Sequence, residues 1–424
     1  MFEALAKAYE GNPTLRAERA RQRATDEQVP QALSGWRPTV EAEGAQSITE
    51  AETNDIGISS DATSLSITLS QPLFRGFRTV NGTKQAEANV EAGRQNLLSV
   101  EQNVLFQAVQ AYANVVRDRQ IVTLRQKNVS VLQQQLRATN ERFNVGEVTR
   151  TDVAQARASV AQSQAELASA KATLASSIAS YERIIGHKPG KLKTPAIAKL
   201  PKSLESALAE ARRINPNLLA AAFIEEAAYH NIAVVLGDML PRAGVEATAS
   251  LRREDSGSEV WEERLVVSGV VTVPLYLAGG VSSRVREAKQ VESQRRIQVI
   301  ETQRSVRESV TSSWNAFVEA GERIRAARAQ VSAALLALDG VRQEYIVGSR
   351  TTQDVLDAER DVLNAQISLV AAQRDRVVAA YQVIGSVGKL TARNLHLRVE
   401  YYDPVENYLD VRDKWFGVKA NTVE

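Results

Sequence analysis

The second half of this chain repeats the plan of its first half, and that repeat limits the possible folds more than any other feature. Ala4-Leu5-Ala6 followed by Asn12-Pro13 returns as Ala207-Leu208-Ala209 followed by Asn215-Pro216. Pro38 returns as Pro241, and Pro72-Leu73-Phe74 as Pro274-Leu275-Tyr276. Phe143-Asn144-Val145-Gly146, with Thr151-Asp152-Val153 behind it, returns as Tyr345-Ile346-Val347-Gly348 with Gln353-Asp354-Val355. Each half reads as helix, hairpin, very long helix and shorter helix. Repeats are expected over 1–190 and 203–390, with a linker at 191–202 and a C-terminal segment at 391–424.

The hairpins decide the compartment. Over 40–48 the even positions are Val40, Ala42, Gly44, Gln46 and Ile48, while the odd ones include Glu41 and Glu43. Leu65, Ile67 and Leu69 alternate with serines and Thr68. Val245, Ala247, Ala249 and Leu251 alternate with Glu246, Thr248, Ser250 and Arg252, and Leu265, Val267, Val271 and Val273 repeat the pattern less cleanly. Period two gives each strand one apolar and one polar face. The polar stretches 49–61 and 254–258 read as exposed loops. That leaves strands of about ten residues, the length a tilted membrane strand needs. A half-buried sheet on a soluble core gives the same alternation. The balance shifts because no other sheet or apolar layer is available to cover these strands. Trp36, Phe74, Phe77 and Tyr276 cluster at the strand ends toward the helices, as a membrane-interface ring would. The uncharged stretch 265–283 has the length of a membrane helix, but Gly269, Pro274, Gly279, Gly280 and its alternation argue against one.

The helices are longer than a globule can use. The stretch 77–143 contains no proline and reads as one helix of roughly 100 Å at 1.5 Å per residue, and 280–345 repeats it. In the second of these, Val310, Trp314, Phe317, Gly321, Ile324, Val331, Leu335, Leu338 and Tyr345 follow coiled-coil spacing. The shorter helices carry two seams of period seven. One runs Leu356, Leu363, Val370, Val377 and Ile384 beside Ala358, Ala365, Ala372 and Ala379. The other runs Val153, Val160, Leu167, Leu174 and Tyr181 beside Ala154, Ala161, Ala168 and Ala175. A seven-residue period marks coiled-coil packing, and two seams give neighbours on two sides, as staves of a tube have. A plain antiparallel bundle is the simpler alternative. The helices at 13–35 and 149–185 together match the long helix in reach, so they are expected to stack end to end beside it. The linker and the tail from Leu390 would then form a belt at that junction.

Lysine and arginine total 52 against 50 acids in 424 residues, which argues against a nucleic-acid surface. The absence of cysteine excludes disulfides, thiolate metal sites and a Cys-linked lipid. His187, His230 and His396 lie far apart with no ligand-spaced neighbour, so no metal or other cofactor is expected. Ala278-Gly279-Gly280 lacks the Lys-Ser/Thr of a phosphate loop. Glu262-Glu263 sits near an expected hairpin loop, where solvated charge is the default. No enzyme is read from these residues. Met1 is followed at once by an amphipathic helix pattern (Phe2, Leu5, Ala6, Tyr9), as expected of a mature or trimmed chain.

The turns Arg142-Phe143-Asn144-Val145-Gly146 and Tyr345-Ile346-Val347-Gly348-Ser349-Arg350-Thr351 carry a family resemblance. So do Asp354-Val355-Leu356-Asp357-Ala358, Gln71-Pro72-Leu73-Phe74 and Val273-Pro274-Leu275-Tyr276. Together they make the chain resemble TolC-like outer-membrane efflux proteins, in the unacylated branch, from Phe2 to about Thr391. The resemblance implies a mainly α fold with a membrane β-barrel portion: a long coiled-coil-type helical barrel plus four β-strands per subunit, closing as a homotrimer. It implies a duct in the outer membrane of a Gram-negative bacterium, extending into the periplasm and contacting lipid. A periplasmic adaptor and an inner-membrane pump would be its partners, in efflux or type I secretion. Independently, four strands leave two open edges, which lipid does not tolerate. The competing reading is a periplasmic coiled-coil structural or adaptor protein. An adaptor would show one helical hairpin and a lipoyl-like domain in place of the repeat.

The resemblance also implies roles for residues. Gln135, Thr151, Asp152, Tyr345 and Arg350 would form a gate. Asp152 would accept from Tyr345 in its own chain, and Arg350 would reach Thr151 and Asp152 of a neighbour. Asp354 and Asp357, on one helix face, would form carboxylate rings at a cation-selective entrance. Helix capping explains the same acids without any channel role. Asn144, Val145, Gly146, Val347, Gly348 and Ser349 would dock the adaptor.

Overall fold

In the computed structural model, residues 1–53, 56–195, 197, 199–255 and 258–420 are described. The first repeat contains α1 (Phe2–Gly11), α2 (Pro13–Asp26), α3 (Gln28–Leu33), β1 (Thr39–Thr53), β2 (Ile56–Arg75), α4 (Arg78–Asn144) and α5 (Arg150–Ile185). The second contains α6 (Leu204–Ile214), α7 (Pro216–Leu236), β3 (Arg242–Asp255), β4 (Glu259–Thr272), α8 (Gly280–Ile346) and α9 (Thr352–Val387), followed by α10 (Pro404–Arg412). The compact units cut across the repeats. One unit is Met1–Arg19, Asn96–Leu218 and Thr302–Tyr402, and the other is Ala20–Gln95, Leu219–Glu301 and Asp403–Glu424. The two long helices, 67 residues each, contribute to both units.

In the unit that holds the strands, one antiparallel sheet runs in the order β1-β2-β3-β4. Its register aligns the apolar positions of both repeats. Val40, Leu69, Ala247 and Val267 form one row, and Ala42, Ile67, Ala249 and Leu265 the next. The opposite face carries Glu41, Thr68, Thr248 and Val266 in one row and Glu43, Ser66, Ser250 and Arg264 in another. Thr68 and Thr248 meet at 3.2 Å between hydroxyl oxygens. Along β2 the apolar face is the barer one: Leu65, Ile67 and Leu69 are exposed while Ser64, Ser66, Thr68 and Ser70 are half-covered, and on β4 Leu265 is 74% exposed and Val267 67%. A soluble half-buried sheet would show the reverse.

The strands, of 14 to 20 residues, are longer than expected. Most of 49–61 is paired strand, not loop: Thr49 faces Ser60 and Glu52 faces Gly57. Likewise Glu262 and Glu263 lie within β4, opposite Arg252 and Leu251. Backbone pairing extends the ladders beyond the apolar rows, where side-chain alternation gives no signal.

The strand-to-helix passage after β2 needs glycine. Gly76 has φ +61°, and a Cβ there would stand 2.4 Å from the Gly237 carbonyl oxygen. The helix expected at 13–35 is broken between α2 and α3. At this break Asp26 is fully buried, held by Gln22 Nε2 at 2.9 Å and Asn407 Nδ2 of α10 at 2.8 Å.

The other unit is built from helices. Its core gathers Leu5 and Tyr9 of α1, Leu105 and Tyr112 of α4, Tyr181 of α5 and Tyr381 of α9. Burial pushes the Tyr381 hydroxyl up to about 12. Leu390, Ala392 and Leu397 of the tail join this core. The linker and the residues just before it are tied to α4: Arg119 donates to the Gly190 and Pro189 carbonyls, and Tyr112 donates to the Lys193 carbonyl.

End-to-end stacking is visible, and it explains the repeated Asn-Pro punctuation. Asn12 accepts the Thr14 N–H at the start of α2 and donates to the Ile184 carbonyl at the end of α5. Asn215 accepts from the N–H groups of Asn217 and Leu218 and donates to the Ser386 carbonyl of α9. Each asparagine caps one helix start and satisfies one helix end.

Along α9, Leu356, Leu363, Val377 and Ile384 are buried, as are Ala365, Ala372 and Ala379, while Val370 and Ala358 are half-buried. On α5 the alanine seam differs: Ala154, Ala161, Ala168 and Ala175 are all exposed within the single chain. Leu335 of α8 is exposed as well.

Candidate functional site

The two turns that join the long helices to the shorter ones share one construction. Gly146 has φ +81° and Gly348 +79°. Gly146 N donates to Phe143 O and Glu147 N to Arg142 O, and Gly348 and Ser349 repeat this with Tyr345 and Glu344. This is the Schellman ending, whose left-handed position favours glycine. The next helix then starts from a capping box. Thr149 N and Oγ1 donate to Asp152 Oδ2, and Asp152 N donates to Thr149 Oγ1. Thr351 and Asp354 make the same three bonds, at 2.9, 2.8 and 3.2 Å. Asp152 and Asp354 are thus equivalent positions with the same local task. Hydrogen bonds from the threonines hold both carboxyls below the usual aspartate value.

Each turn also carries its own ion pair, with the charges exchanged between repeats. Arg142 Nε lies 3.1 Å from Glu147 Oε2, and Arg350 Nε lies 2.7 Å from Glu344 Oε2. All four side chains are at least one-third exposed, so water competes with both pairs.

Several expected contacts take a different form. Tyr345 does not bond Asp152. Its hydroxyl lies 3.4 Å from Thr352 Oγ1, and the Arg142 guanidinium sits over its ring at 4.8 Å. Thr352 is close to both residues and is one of the groups that lower the Asp152 carboxyl. Arg350 is engaged with Glu344, and Asp354 with its cap. Asp357 pairs with Arg360 at 2.7 Å, one turn along the same helix. Gln135 is half-buried, and its carbonyl accepts from Thr139 Oγ1 at 2.9 Å. Thr151 is exposed beside Asp152.

At the turn tips Val145 and Val347 are 71% and 78% exposed, flanked by exposed Asn144 and Ser349. Arg142, Glu344 and Thr352 belong to this cluster without having been given a role from sequence. The signal for the first two was the reversed charge at matching positions of the repeat. A second membrane feature also emerges. Trp261 is exposed on the apolar face, in the row of Thr63 and Arg253, and Arg253 lies over its ring at 5.9 Å. It marks an aromatic position at the end of the sheet away from Phe74.

Comparison with known proteins agrees with this construction. The family model described as outer membrane efflux protein matches residues 4–187 and 207–389, one stretch in each repeat. The outer membrane efflux protein BepC of Brucella suis biovar 1 is 41% identical over 420 residues, covering 98% of this chain and 91% of that protein. The outer membrane protein TolC of Escherichia coli K12 is 26% identical, with 93% and 83% covered. The solved structure of the Campylobacter jejuni CmeC outer membrane channel shares the fold at a TM-score of 0.81 and 16% identity, covering 97% of this chain and 89% of that one. With both repeats matched and the apolar sheet face laid bare, this chain belongs to the outer membrane efflux protein family and is an outer-membrane channel protein.

Proposed function

We propose that three copies of this chain close their four-stranded sheets into one barrel and form the export duct of a tripartite efflux or type I secretion assembly. The observation that carries this reading is the sheet itself, with two apolar rows aligned across all four strands on one face and a mostly polar face behind. Its outer strands β1 and β4 each have a partner on one side only. Unpaired strand edges are not stable in lipid, so closure needs further copies. The exposed alanine seam of α5 is suited to close helix approach between copies. In this reading the apolar turn tips at Val145 and Val347, with Asn144, Gly146, Gly348 and Ser349, meet a periplasmic adaptor that links the duct to an inner-membrane pump.

The gate follows from the turns. Arg350 holds Glu344 in its own chain through a solvent-exposed pair that is readily exchanged. We assign it a second state in which it binds Thr151 and Asp152 of a neighbouring copy. Tyr345, Gln135 and Thr352 support the same constriction, and Asp354 and Asp357 face the entrance as carboxylate rings while also serving as local helix partners. Membrane fractionation with native mass in detergent tests the assembly. A trimer from outer membranes is expected, and a soluble monomer would overturn the reading.

A further inference from the structure

The helical unit contains a cavity of about 320 Å3 between α4, the α6–α7 junction, α8 and the end of α9. All of the described residues that line it are uncharged. Gln102, Asn103 and Phe106 come from α4, Ser305 and Ser309 from α8, and Gln382 from α9. Its volume lies within the range of small-molecule sites. The far wall is held by a fixed network: Ser99 donates to Asn217 Oδ1 at 2.8 Å, Asn215 donates to the Ser386 carbonyl, and the Ser313 and Ser386 hydroxyls meet at 2.9 Å. The wall is therefore organised before any ligand arrives.

Gln102 is only 7% exposed, and its Nε2 is buried without a partner. A buried polar group of this kind calls for a partner. Nor does the repeat plan dictate the neutral lining. Setting α4 against α8 from their first residues places Glu301, Arg304 and Glu308 opposite Ser99, Gln102 and Phe106. The charged forms stand in one repeat and the neutral forms in the other.

A wall of amides and hydroxyls offers donors and acceptors in equal measure and no charge. Carboxylates, phosphates and metal ions find no counter-charge here. Sugar hydroxyls, each both donor and acceptor, match such a wall, and the half-buried Phe106 ring offers an apolar face to the C–H side of a pyranose. We propose that this cavity binds an uncharged sugar, with the Gln102 side chain among the groups that hold it. Two sources share this chemistry: acetylated amino sugars of the cell-wall type and plain glucans.

The test uses the full chain purified in a sugar-free zwitterionic detergent and titrated calorimetrically with triacetylchitotriose and with maltotriose. Binding of either is expected, with an affinity that is unchanged when salt is raised tenfold, because no ion pair is involved. Preference for the first sugar assigns the site to amino sugars, and preference for the second to glucans. Ser309→Arg, at an exposed position that leaves the core untouched, should weaken binding at least tenfold, as should Gln102→Leu. Failure of both sugars to bind, or equal binding by Ser309→Arg, would overturn the proposal.

Discussion

Replacing Val267 with arginine puts a charge in the middle of the bare face of β4. Trp261 and Val267 share that face, and at about 3.3 Å per residue roughly 20 Å of strand separates them. At a tilt of about 40° this is a depth of about 15 Å, half of a hydrocarbon core of about 30 Å. An arginine at that depth costs about 3 kcal/mol per chain, or roughly a hundredfold in the folding equilibrium. Ser268, the next residue, points to the other face, where its register partner is Glu246. Ser268→Arg gains a nearby carboxylate and keeps contact with water, so its cost should stay below about 1 kcal/mol. Folding into lipid vesicles, followed by urea titration and gel mobility, measures both variants. Equal costs, or a larger cost at Ser268, would refute the assignment of the faces.

Other consequences are as direct. Asp354→Asn with Asp357→Asn should reduce cation preference in planar bilayers, and unchanged selectivity would leave these acids as helix partners alone. Because the Asp152 and Asp354 carboxyls are lowered, their caps should hold above the ordinary aspartate value of about 3.9 and fail only as pH falls through the lower folded values, which hydrogen exchange at the starts of α5 and α9 can follow. Arg350→Ser with Tyr345→Phe should raise single-channel conductance several-fold while the heptad seams keep assembly stability near wild type; wild-type conductance would place the closure elsewhere. Burial raises the Glu101 carboxyl, against the pull of the Ala392 N–H, Arg19 and Arg393. The ionised form therefore costs stability above its folded pKa, and the cost vanishes below the ordinary value of about 4.3. Glu101→Gln should then raise Tm at pH 8 and match wild type near pH 4, and a lower Tm at pH 8 would contradict this.

Much of the fold is legible in sequence because the punctuation has local causes. Gly146 and Gly348 end the long helices through Schellman bonds, and Thr149 and Thr351 start the next ones with capping boxes. These depend on neighbours within six residues, so the spans 77–143 and 149–185 come out within a residue or two. The strand ends were lost because Thr49, Glu50 and Glu52 pair through backbone alone and show no apolar rhythm. At the turns, the residue types were legible but the bonding was not. Thr352 comes close to both Tyr345 and Asp152 through the spatial meeting of two helices, which no spacing encodes. The same holds for the cavity at Gln102, whose lining comes from four separate segments of the chain.

The absence of native cysteine permits one decisive measurement of closure between copies. Ala42 on β1 and Leu265 on β4 lie in one row at opposite edges of the sheet. Three strand spacings of about 4.8 Å separate them, beyond the reach of about 7 Å that a disulfide allows. Any bond between Ala42→Cys and a cysteine walked along the same face of β4 must therefore join two chains. Oxidation in outer membranes should give, at one register position, a ladder that rises through dimer and ends at trimer. Monomer alone at every position tried, or a ladder that continues past three chains, would contradict the closed three-copy channel.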